Sequence, residues 1–147
     1  MTANNMMINY QTMMMALRKG DTGTACLYLN ENVDGCTFWF VVKENASQPD
    51  EEAPILQKFE HAGGPYLVIN ISEEESDRLS AAEDPTSKTS PVYKDYIWGV
   101  KYVENIRDFT GKITGVGRVK TLVPHCLKRP PIFRVYPEII GGPHYDL

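Results

Sequence analysis

Six side chains in this 147-residue chain belong to the nucleophile and soft-ligand types: Cys26, Cys36, Cys126, His61, His125 and His144. Thiol–imidazole catalysis requires sulfur and ring nitrogen to converge at hydrogen-bond distance. His125 and Cys126 are adjacent in sequence, but successive side chains of an extended segment point to opposite sides, so adjacency makes no dyad. Three cysteines without a CxxC spacing fit neither a zinc site nor a disulfide framework. Cys26 and Cys36 lie in alternating apolar runs, where cysteine packs as a small hydrophobe. Reduced thiols suit a chain made in a reducing cytoplasm. His61, His144 and acids such as Asp146 share no helix or strand spacing that would gather them around a metal.

The remaining chemical candidates reduce to structure in the same way. Glu73, Glu74, Glu75 and Asp77 lack the DxDxDG spacing of a calcium loop and read as a helix start. Gly63-Gly64-Pro65 and the pair Gly115 and Gly117 precede no helix and no Lys-Ser/Thr, so they mark turns and a bulge rather than a phosphate cradle. Tyr96, Trp98 and Tyr102 would form a carbohydrate platform if exposed, but their alternation reads as core. No catalytic, cofactor-binding or metal-ligating residue is assigned. The chain reads as a non-enzyme without a cofactor.

Size and composition set the frame for these side chains. A mass of 16.6 kDa suits one domain, and 42% hydrophobic with 23% charged residues is ordinary globular usage. No run of 18 apolar residues is present, which excludes a membrane-spanning helix. The start, rich in methionine, lacks the basic and apolar blocks of a secretory signal. A net charge of −4 and a pI near 5.4 argue against nucleic acid as the main partner. Charge is also unevenly spread. Residues 112–147 hold six Lys/Arg against two acids, a net of +4, while residues 1–111 carry a net of −8. Such opposed potentials can steer one subunit onto another.

Strand signals dominate the chain. Apolar, β-branched or aromatic runs fall at residues 24–29, 36–43, 55–60, 66–71, 96–103, 112–123 and 132–136. Within them Cys36, Phe38, Phe40 and Val42 share one face, as do Leu67, Ile69 and Ile71. The single helix signal is Ser72-Glu73-Glu74-Glu75, a capping box whose helix leans on the sheet through Leu79 and ends before Asp84-Pro85. Residues 44–52 and 83–91 read as polar loops. Seven or so strands without long helices predict an all-β fold, an immunoglobulin-like antiparallel β-sandwich with one short helix. The predicted division is an N-terminal arm over 1–15, a sandwich core over 16–123, and a final strand with a Pro-rich C-terminal arm over 124–147. Its prolines keep that last segment out of the middle of a sheet.

The order of the pieces resembles a small β-sandwich module of tailed bacteriophages, the N-terminal domain of baseplate upper proteins and their relatives. Four features carry the likeness across residues 16–138. Leu17-Arg18-Lys19-Gly20-Asp21-Thr22-Gly23 is the opening strand and turn. Asp34-Gly35-Cys36-Thr37-Phe38-Trp39-Phe40-Val41-Val42-Lys43 is similar to the strand ending in Val-Lys. A strand and acidic helical turn, Ile69 through Leu79, follows. The last feature is Tyr96-Ile97-Trp98-Gly99-Val100-Lys101-Tyr102 with Gly117-Arg118-Val119-Lys120-Thr121-Leu122 and Phe133-Arg134-Val135-Tyr136-Pro137. The 83–91 loop and the Pro-rich tail depart from that pattern.

The resemblance implies a virion structural protein of the tail, baseplate or connector, assembled in the host bacterial cytoplasm. Its partners would be copies of itself and other virion proteins, with neither nucleic acid nor a membrane as the main partner. The terminal arms, 1–15 and 128–147, would lie on neighbours' edge strands. The alternatives are a monomeric carbohydrate- or peptide-binding sandwich and, further off, a small viral inhibitor or hydrolase.

Overall fold

Apolar residues at every second position make strands with one dry face, and this pattern underlies several of the nine strands that form among the described residues of the computed structural model, which are 6–81, 92–124 and 129–138. In chain order they are β1 (Met7–Asn9), β2 (Met14–Arg18), β3 (Gly23–Tyr28), β4 (Thr37–Lys43), β5 (Ile55–Glu60), β6 (Tyr66–Ile71), β7 (Lys94–Arg107), β8 (Ile113–Val123) and β9 (Ile132–Tyr136). A large sheet runs in the order β1-β2-β9-β7-β4-β5, and β8 also pairs with β7. β3 and β6 form a second, two-stranded sheet. The fold is all-β and sandwich-like, as the strand pattern predicts.

The core is built by the faces read from the sequence. Cys36, Phe38, Phe40 and Val42 are buried, as are Tyr96, Trp98, Val100 and Tyr102 on the neighbouring strand. Ala25, Leu27, Leu67, Ile69 and Ile71 of the small sheet belong to the same apolar cluster. Tyr96, Trp98 and Tyr102 are therefore packing residues and present no exposed platform.

β7 organises the large sheet. β4 pairs along one side of it, from Thr37↔Val103 to Lys43↔Ile97. The other side is shared, with β9 along Lys94 to Ile97 and β8 along Val100 to Arg107. The Trp98 amide donates to the Pro131 carbonyl (3.1 Å) where the two meet.

Helix α1 (Glu73–Asp77) follows β6 directly. The Ser72 hydroxyl accepts from the Glu75 amide (3.1 Å), and the Ser72 amide donates to the Glu75 carboxylate (3.0 Å). This is the reciprocal pair the sequence predicts. Leu79, just beyond, is buried and anchors the turn to the core.

Three expectations change. Residues 6–15 are not an arm: Met6 and Met15 are buried in the core, and β1 and β2 complete the large sheet. A boundary at residue 16 would cut through β2. The last strand lies inside the sheet, because β9 is flanked by β2 and β7. Pro130, Pro131 and Pro137 stand immediately outside it, so residues 132–136 keep every amide donor. Finally, β2 and β9 pair in parallel, from Met15↔Phe133 to Arg18↔Tyr136, so the sheet is not wholly antiparallel. Residues 1–5, the 83–91 loop and the tail from 139 onward lie outside the described residues.

Candidate functional site

Of the described candidates, Cys36 and His61 are brought together through the backbone, the His61 amide donating to the Cys36 carbonyl (2.9 Å), while the His61 ring turns to Phe38 and the Gly64 carbonyl. Cys36 is buried in the core, and burial first, then the Glu104 charge, pushes its thiol pKa up. Cys26 is half-buried on β3. His61 is buried, its ring edge-on to Phe38 and its Nε2 3.0 Å from the Gly64 carbonyl oxygen, an arrangement that braces a turn. His125, Cys126, His144 and Asp146 lie outside the described residues. Among the described residues no group of three or more His, Cys, Asp and Glu is placed to hold a metal ion. No helix among them is long and apolar enough to cross a membrane. Gly63 and Gly64 have positive φ in the turn before β6, and Gly115 and Gly117 lie in β8.

Several large apolar side chains point outward. The β7–β8 hairpin exposes Ile106, Phe109, Ile113, Val116 and Val119. Phe109, at the tip, is 100% exposed. Its turn is firmly built. The Asp108 amide donates to the Lys112 carbonyl (2.9 Å), and the Gly111 amide donates to the Asp108 carbonyl (3.0 Å). Asp108 Oδ1 accepts from the Thr110 hydroxyl (2.6 Å) and from the Thr110 and Lys112 amides. Those bonds, the Thr110 hydroxyl foremost, hold the Asp108 carboxyl below its usual range. Gly111 supplies the left-handed residue (φ 88°) that a short hairpin loop needs. Arg107 ties the base by donating to the Gly111 carbonyl (2.8 Å) and to Glu60 (2.8 Å).

β8 is a poor template for strand addition. Its pairing with β7 slips at Val100/Lys101, Val103/Asn105 and Ile106/Arg107. Irregularities of this kind twist an edge away from further pairing. Gly117 sits beside the middle slip, so the weakness read from its glycines is a real irregularity. The hairpin therefore exposes side chains and little regular free backbone.

The outer face of the large sheet continues this surface. Cross-strand neighbours place Lys58, Trp39, Lys101 and Thr121 in one row, and Thr37, Val103 and Val119 in the next. Trp39, Val41, Leu56, Val103 and Val119 line a groove of about 450 Å³, with Asp50, Lys101 and Thr121 as its polar members. Lys58 lies over the Trp39 ring, 5.4 Å from its centroid.

Sequence reasoning missed the hairpin tip. The available signal was an aromatic residue set inside Asp108-Phe109-Thr110-Gly111, a turn whose other members are polar or glycine. The chain matches no family model, no curated protein and no solved structure.

Proposed function

We propose that this chain is a bacteriophage virion structural protein, a tail, baseplate or connector component that works by assembling with copies of itself or with neighbouring virion proteins. The observation that carries assembly is Phe109, wholly exposed on a turn held by its own hydrogen bonds. A rigid aromatic side chain loses little conformational freedom on burial, which makes it an effective anchor for a partner's pocket. Further apolar side chains along the same hairpin extend the contact, and exposed apolar surface of this kind marks interaction sites. The virion setting rests on the resemblance to the phage sandwich module. On this reading the contact runs through the hairpin and not through residues 6–18 or 132–136, since β1, β2 and β9 are already committed to the sheet, while residues 139–147 lie outside the described residues.

Native mass spectrometry of the purified full chain tests the proposal. The expected species is an oligomer that Phe109→Asp converts to monomer without altering the far-UV circular dichroism. A wild-type monomer that also captures no protein from its own virion would overturn it.

A further inference from the structure

We infer that the end of the two-stranded sheet where Tyr28 faces Tyr66 is a binding site for a neutral saccharide. The inference is independent of the assembly reading, because it concerns a different sheet and a different class of ligand.

Tyr28 and Tyr66 are the last register pair of β3 and β6, and both are largely exposed, at 70% and 56%. Their rings meet edge to face, with centroids 5.9 Å apart and planes at 68°. An edge-on pair leaves ring face open to a ligand. The C–H face of a pyranose is weakly positive and packs on the negative face of an aromatic ring.

Beside the tyrosines lies a concavity of about 360 Å³, lined by Tyr28, Asn30, Glu31, Asn32, Asp34 and Gly64 among others. This is toward the small end of the range for ligand sites, ~300–1,000 Å³. Its wall is amide and carboxylate, the groups that pair with vicinal hydroxyls. Asn32 Oδ1 accepts from the Asp34 amide (3.1 Å), which leaves its Nδ2 as a donor. Asp34 Oδ1 accepts from the Gly64 amide (3.2 Å), which leaves its second oxygen as an acceptor. Donor and acceptor stand two residues apart, next to an open ring.

The wall is held before any ligand arrives. Leu29, Val33 and Cys36 are buried, and Asn30, Asn32 and Asp34 are exposed between these anchors. The Leu29 amide donates to the Pro65 carbonyl (2.6 Å), the Gly35 amide to the His61 carbonyl (2.8 Å), and the His61 amide to the Cys36 carbonyl (2.9 Å). These bonds fasten the β3–β4 loop to the turn before β6. Glu31, the other acid, is occupied by Lys120 (3.0 Å) and Arg118 (3.5 Å). Asp34 thus remains as the carboxylate facing the ligand, and it selects against anionic sugars.

The test is amide-shift titration of the ¹⁵N-labelled full chain with maltotriose, cellotriose, triacetylchitotriose and, as the anionic comparison, trigalacturonate. At least one neutral trisaccharide should shift the Tyr28, Asn30, Asn32 and Tyr66 amides saturably. Tyr28→Ala should weaken that binding at least about tenfold, with the remaining spectrum unchanged because Tyr28 is exposed. Asn32→Asp retains the acceptor for the Asp34 amide and removes the donor, so it should weaken binding while preserving the loop. Several outcomes would overturn the site: no saturable shift with any neutral trisaccharide at millimolar concentration, shifts on another surface, trigalacturonate binding as tightly, or Tyr28→Ala changing oligomeric state instead of sugar affinity.

Discussion

The indole N–H of Trp98 donates a 2.8 Å hydrogen bond to the backbone carbonyl of Met13. The bulkiest fully buried side chain, on the central strand, is thereby satisfied by the chain just ahead of β2. Met13 holds φ at 60°, a left-handed conformation rarely adopted outside glycine, asparagine and aspartate. The bond and the burial of Met6 and Met15 bind that turn to the core.

A chain begun at residue 16 should therefore fail to fold or lose most of its stability. It lacks Met6 and Met15 and leaves the Trp98 indole N–H without its partner. Each lost methionine side chain costs about 2–5 kcal/mol, against a total of roughly 5–15 kcal/mol for a domain. Urea unfolding followed by Trp fluorescence measures this. A truncated chain as stable as the full one would show that the N-terminal strands are dispensable.

Tyr102→Phe should leave stability unchanged or raise it by up to about 1 kcal/mol. The Tyr102 hydroxyl is buried beside the Glu31 carboxylate, and no described residue meets it at hydrogen-bond geometry. Burial, and then the negative charge of Glu31, push its pKa up. The phenyl ring keeps the contacts with Phe38 (5.4 Å between centroids) and the Arg118 guanidinium. Comparison of urea midpoints checks the sign. A loss of more than 1 kcal/mol would reveal a partner for the hydroxyl.

How much was legible follows from the kind of signal each element gives. β4, β6 and the 96–102 part of β7 alternate strictly, so their buried faces could be read residue by residue, and the Ser72–Glu75 cap is a local pattern with a local cause. β1 and β2 were hidden because Met13-Met14-Met15-Ala16-Leu17 is apolar without alternation. Methionine fits any irregular gap, and so carries little information about strand or arm. The parallel pairing of β2 with β9 joins residues about 118 apart, as in Met15 with Phe133, and no local pattern encodes it. The prolines around β9 marked its ends correctly but not its central place. The tyrosine end of the small sheet escaped notice because its parts come from two separate segments, residues 28–34 and 64–66.

Cys36 should resist alkylation in the native state and react on unfolding. It is buried, and desolvation raises its pKa, so little thiolate forms at neutral pH. Iodoacetamide labelling with peptide mapping, in buffer and in urea, separates the two states. Native labelling of Cys36 at the rate of a free thiol would mean that the β3–β4 turn opens readily.

Glu31 gives the fold an acid-sensitive tie. The Lys120 ammonium, hydrogen-bonded at 3.0 Å, is the main reason its carboxyl sits below the usual carboxylate range, and the nearby Tyr102 hydroxyl and then the Arg118 guanidinium assist. Because the folded state favours the charged form, the contribution is fully present above the unfolded-state value of roughly 4.3. It is lost as pH falls through the lowered folded value, since protons then bind both states alike. The lysine and arginine are partly solvated, so the tie is worth about 1 kcal/mol or less. Glu31→Gln removes it at every pH. Wild type should exceed the variant in urea stability at pH 7, and the two should converge near the acid limb. A difference that persists undiminished in acid would mean that Glu31 acts through packing of the β3–β4 loop and not through its charge.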